Sequence, residues 1–90
     1  MTVKAEAEII NKLGLHARAA ARFVQAASEY DSEITLTLNG KSVSGKSIMG
    51  VMMLAAGKGV RIEMQAEGSD EAEAIAELTS LINNRFGEAE

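Results

Sequence analysis

Ile34-Thr35-Leu36-Thr37-Leu38-Asn39-Gly40-Lys41-Ser42-Val43-Ser44 is the stretch that decides the fold. Ile34, Leu36 and Leu38 alternate with Thr35 and Thr37, the period of a strand with one buried face. Asn39-Gly40 follows, a pair that tolerates φ > 0 at both turn positions and so specifies a tight hairpin. Lys41 to Ser44 is therefore predicted to return antiparallel as a short strand.

Upstream, Val3, Ala5, Ala7 and Ile9 alternate with Lys4, Glu6 and Glu8, which predicts another half-buried strand. Asn11-Lys12-Leu13-Gly14 reads as a loop. From Ala17 to about Ser28, Ala20, Phe23, Val24 and Ala27 recur at i, i+3, i+4 and i+7, the stripe of a helix. Tyr30-Asp31-Ser32 breaks it. Downstream, Ser47 is placed to cap a short helix reaching roughly Leu54. Ala56-Gly57-Lys58-Gly59 turns the chain into a fourth strand marked by Val60, Ile62 and Met64. Ser69 or Asp70 starts a last helix with Glu71 and Glu73 near its positive end and an apolar stripe of Ile75, Leu78, Leu81 and Ile82.

The order β-α-β-β-α-β-α predicts one α+β domain over residues 1–90. It is an open-faced β-sandwich, with a four-stranded antiparallel sheet covered on one face by three helices and wet on the other.

Composition agrees with a small aliphatic core. Hydrophobic residues make up 47% of the chain, tryptophan and cysteine are absent, and Phe23, Tyr30 and Phe86 are the aromatics. A domain this small hides only about 60% of the surface of its unfolded chain, and without cysteine no disulfide can staple it. No apolar run approaches the roughly 20 residues that span a bilayer, and the first residues lack the apolar segment of a secretory signal. A cytoplasmic location is expected. The net charge of -4 speaks against nucleic acid, which needs clustered Lys and Arg. The charge is unevenly spread: residues 1–62 hold eight Lys/Arg against five Asp/Glu, and residues 63–90 one against eight. The acidic end reads as a solvated helix face.

Chemistry concentrates where the Asn11–Gly14 loop meets the first helix. His16, the only histidine, falls at the N-cap, and Arg18 follows two places on. First-turn amides lack intrahelical partners and, with the helix dipole, attract anions. The amides of Ala17 and Arg18 are placed to face a group carried by the ring. The same field disfavours imidazolium, and a neutral ring keeps a nucleophile's lone pair. Arg18 offers a planar fork of donors for phosphate oxygens; Arg22, a turn later, is a weaker candidate. A metal site is not expected, because no second histidine or cysteine is present. No cofactor is expected either.

Gly14-Leu15-His16-Ala17-Arg18-Ala19-Ala20 closely resembles the Gly-Leu-His-Ala-Arg-Pro-Ala motif of the HPr family, the histidine-containing phosphocarriers of the bacterial phosphoenolpyruvate:sugar phosphotransferase system. Lys46-Ser47-Ile48-Met49-Gly50-Val51-Met52 resembles the family's second landmark at the family's spacing, and the similarity spans essentially the whole chain. The resemblance implies a stoichiometric carrier without turnover of its own, not an enzyme. It implies that His16 accepts a phosphoryl group on Nδ1 from phosphorylated enzyme I and passes it to enzyme IIA proteins, with Arg18 steadying the phosphate. It further implies regulatory phosphorylation of Ser47 by HPr kinase/phosphorylase, partner docking through Ile48, Met49 and Met52, and a monomer. Val51 and Leu54 are the better core candidates of that helix. Ala19 departs from the family, which has proline there, a residue suited to a first turn because its missing N–H would be unbonded anyway.

Two rivals come from the residues themselves. Gly40-Lys41-Ser42-Val43-Ser44-Gly45-Lys46-Ser47 fits G-x-x-x-x-G-K-[ST], a phosphate-binding P-loop that would make the chain a nucleotide-binding protein. The Asn39-Gly40 hairpin opposes it, since P-loops sit in parallel βαβ units. The other rival is a non-catalytic interaction module in which His16 is incidental.

Overall fold

Residues 2–90 are described in the computed structural model of the chain. Four strands and three helices follow in the expected order: β1 Thr2–Glu8, α1 Ala17–Ala27, β2 Glu33–Leu38, β3 Lys41–Ser44, α2 Ile48–Met53, β4 Arg61–Glu67 and α3 Glu71–Asn83. The strands form one sheet ordered β1-β4-β2-β3, and every neighbouring pair is antiparallel.

The hairpin is the one its turn residues require. Leu38 pairs with Lys41, leaving Asn39 and Gly40 as a two-residue connection with φ of 52° and 80°. Pairing across β3 also disposes of the P-loop reading. Lys41–Ser44 is spent in a ladder with β2, so the segment cannot wrap a phosphate, and Lys46 gives its Nζ to the Tyr30 carbonyl at 2.7 Å.

Period-2 alternation sends Ala7, Ile34, Leu36, Ile62, Met64 and Ala66 to one sheet face, where they are buried. The helices answer with Ala20, Phe23 and Ala27 from α1, Val51 from α2, and Ala74, Ile75, Leu78 and Ile82 from α3. Fully burying one Val, Leu, Ile, Phe or Met side chain contributes about 1.5–3 kcal/mol, so this layer, with no disulfide behind it, is what holds the domain. The opposite face carries Lys4, Glu6, Glu33, Thr35, Arg61 and Glu63, at least partly in water. Among the described residues no helix is long and apolar enough to cross a membrane.

Asp70 starts α3 as expected, its side chain taken up by Ser32 and Asp31 and not by a cap. Two details differ from the sequence reading. The last strand reaches Glu67, since Ala66 continues the buried alternation beyond Met64. Beyond α3 the chain makes a tight turn over Arg85–Gly87 that buries Phe86 and folds the tail back towards the start of α1.

Candidate functional site

Gly14 sets up the site's backbone. It has φ of 67°, and a Cβ there would meet the Ala56 carbonyl oxygen at 2.6 Å and the Gly57 Cα at 2.8 Å. Only glycine fits so close to that turn. The next residue, Leu15, donates its N–H to the same carbonyl at 2.9 Å and buries its side chain. The Asn11–Leu15 loop is thus pinned between the Ala56–Gly59 turn and the core, and it delivers His16 to the head of α1.

His16 is the N-cap residue, extended at φ -72° and ψ 177°, and its side chain makes no cap bond. The ring is therefore not spent on the helix start. Its carbonyl accepts the first helical bond, from Ala20 N at 2.8 Å, which leaves the amides of Ala17, Arg18 and Ala19 without intrahelical acceptors. Arg18 is exposed and, among the described residues, makes no hydrogen bond or ion pair. His16, Ala17, Arg18, Lys12 and Glu88 line one open depression on the surface.

Glu88 is the site residue that sequence reasoning missed. Its Oε2 pairs with Nε2 of His16, and its Oε1 accepts from Asn11 Nδ2 at 3.0 Å. Asn11 is fully buried and donates its second N–H to the Gly14 carbonyl at 2.8 Å. The reading of the acidic end as a solvated helix face holds for Glu73 and Glu77 on α3 but is corrected for Glu88, which lies beyond the helix and half-buried against the histidine. A separation of 72 residues leaves no local signal for such a pair.

Burial is the strongest single influence on Glu88 and opposes its charge. The hydrogen bonds from His16 and Asn11, with the charges of His16 and Arg22, outweigh it and hold the carboxyl below its ordinary value. Arg22, the weaker anion candidate, is engaged elsewhere, since its Nη1 donates to the Phe86 carbonyl and ties the tail to α1.

Ser47 does cap α2, accepting from Gly50 N at 3.0 Å. Beside it Ile48, Met49 and Met52 are 44%, 72% and 40% exposed, with Met53 and Leu13 also in water, while Val51 and Leu54 are buried. Large apolar side chains left in water are uncommon on a surface that meets nothing but solvent. Among the described residues no group of three His, Cys, Asp or Glu side chains could hold a metal ion.

The chain is similar to known proteins over nearly its whole length. A family described as the PTS HPr component phosphorylation site matches residues 3–84. The chain is 59% identical over 88 residues to the phosphocarrier protein HPr of Neisseria meningitidis, covering 98% of this chain and 99% of that one. It is similar in structure to HPr-C-His from Thermoanaerobacter tengcongensis, with a TM-score of 0.94, 48% identity, and coverage of 98% and 99%. It also matches an HPr dimer from the same organism, with a TM-score of 0.78, 52% identity, and coverage of 90% and 93%. The chain belongs to the HPr family of phosphotransferase-system phosphocarriers.

Proposed function

We propose that this member of the HPr family carries its phosphoryl group on Nδ1 of His16, taking it from phosphorylated enzyme I and handing it to a histidine of an enzyme IIA protein. The observation that carries the reading is how the ring is bonded. Nε2 is engaged by Glu88, while no described group hydrogen-bonds Nδ1, and unpartnered Arg18 lies two residues away at the helix start.

The Nδ1 lone pair forms the new N–P bond as the donor's N–P bond breaks, its electron pair returning to the donor nitrogen. Such a transfer has a loose transition state, with negative charge spread over three oxygens, so positioning and positive charge do most of the work. Arg18 and the amides of Ala17 and Arg18 supply that charge. Each phosphoryl group that arrives must leave before the next, so the chain is a relay and not a catalyst.

Ile48, Met49 and Met52 form the docking patch for both partners. Phosphorylation of Ser47 by HPr kinase/phosphorylase adds about -1.5 to -2 charge beside that patch and hinders enzyme I. The carrier works as a cytoplasmic monomer, its apolar patch being covered by a partner during transfer.

The test mixes the protein with phosphoenolpyruvate and enzyme I and expects an acid-labile, base-stable modification. His16→Ala removes it and Ser47→Ala does not. ATP with the kinase gives the opposite dependence and an acid-stable product. Undiminished labelling of the His16→Ala variant by enzyme I would end the reading.

A further inference from the structure

We infer that Glu88, held by Asn11, is a positioning residue that keeps the His16 ring proton on Nε2, so that Nδ1 can take up a phosphoryl group and later release it. The inference rests on His16 being the acceptor.

Four contacts bring this carboxylate to the ring. The Phe86 side chain is 1% exposed in the core, Arg22 Nη1 donates to the Phe86 carbonyl, Lys12 N donates to the Glu90 carbonyl at 2.8 Å, and Asn11 Nδ2 holds Glu88 Oε1. The approach also stores strain. Arg85 and Phe86 have φ of 56° and 55°, two successive non-glycine residues in the left-handed region that L side chains disfavour. The four contacts hold these conformations in place, as the surroundings of strained segments at functional sites do.

Asn11 is one of two buried polar residues in the described chain, Ser32 being the other. With the amide nitrogen facing two acceptors, its orientation is set by the network, and it steers Glu88 without competing for the imidazole.

An ionised carboxylate can only accept, so the proton of the neutral ring belongs on Nε2 and the lone pair on Nδ1. On phosphorylation the Nδ1–P bond forms, the ring becomes a phosphoimidazolium, and its positive charge lies beside Glu88. On transfer the electrons of the N–P bond return to Nδ1, and the leaving group is a neutral imidazole. With no proton on Nε2 it would have to leave as an imidazolate, a far poorer leaving group. Nε2 keeps its proton throughout, and nothing else is consumed.

Glu88→Gln tests this, because an amide of the same shape can donate as well as accept and no longer dictates the ring proton. The chain has one histidine, so the ring resonances of the ¹⁵N-labelled protein are unambiguous. The wild type is expected to show a strongly deshielded, slowly exchanging Nε2–H that is lost in the variant, while the backbone amide spectrum stays that of the folded protein. Transfer from enzyme I and onward to an enzyme IIA protein should both slow about tenfold, the low end of what losing a histidine-orienting partner costs. A wild-type ring protonated on Nδ1, or a variant with unchanged resonance and rates, overturns the role of Glu88 alone. If enzyme I fails to phosphorylate the wild type at all, the carrier reading falls and this one with it.

Discussion

Asp70, at the head of α3, closes the turn between α1 and β2 by serving Ser32: its Oδ1 accepts from the Ser32 amide at 2.9 Å and from the Ser32 hydroxyl, while Oδ2 accepts from the Asp31 amide at 2.8 Å. Ser32 is completely buried, so these bonds satisfy donors that would otherwise be stranded. The Ser32 hydroxyl above all, then the Asp31 amide, hold the Asp70 carboxyl below its ordinary value of 3.8. A carboxyl whose folded value is depressed contributes stability above its unfolded value and loses it as pH falls through the folded one. The wild type should therefore lose part of its thermal stability on acidification below that value. Asp70→Asn should melt roughly 5 °C lower at neutral pH and show a smaller acid-dependent loss. Calorimetry across the acid range checks both, and identical pH profiles would contradict the linkage.

Two positions in the left-handed region should respond in opposite ways. Ala55, just past the end of α2, has φ of 53° and is exposed, so Ala55→Gly is expected to stabilise by about 0.5–1 kcal/mol. At Gly14 the left-handed φ is joined by the close approach to Ala56 and Gly57. Gly14→Ala should cost about 2–4 kcal/mol from strain and overpacking together. Urea unfolding of the two variants measures the contrast.

Tyr30 hydroxyl donates to Glu77 Oε1 at 2.7 Å, and that bond, ahead of burial and the charge of Glu77, pushes its phenol up to about 12. A raised folded value means the contribution is complete below the unfolded value of about 10 and is lost as pH rises towards the folded one. As the only tyrosine it titrates in isolation by ultraviolet absorbance. Glu77→Gln should bring the midpoint back towards that of a free phenol; an unmoved midpoint would separate the shift from Glu77.

Ala19 sits in the first turn of α1, buried, with an amide that has no intrahelical acceptor. Ala19→Pro removes no hydrogen bond and should leave a folded protein that enzyme I still phosphorylates, since neither His16 nor Arg18 moves. Loss of phosphorylation in a folded variant would show that the loosened helix entry matters to this carrier.

The elements were legible because each is written in neighbouring residues. Ile34, Leu36 and Leu38 declare a strand, Asn39-Gly40 a hairpin, and Ser47 a cap three residues from the amide it accepts. The His16–Arg18 spacing was equally readable, since both lie in one helix turn. A boundary slipped where the period ran on, as at Ala66, whereas the helix start at Asp70 was legible and only the distant use of its side chain was not.

What sequence alone determined was the alternation of faces, the turn chemistry and the placing of His16 at a helix start, all set by backbone sterics and hydrophobic period over a few residues. What tertiary structure decided was the strand order β1-β4-β2-β3 and the company His16 keeps. Asn11 and Glu88 lie 77 residues apart and touch only because Phe86 is driven into the core and its carbonyl is clasped by Arg22. Burial of a side chain is a sum over the whole fold, so the carboxylate it carries to the histidine has no local pattern to announce it.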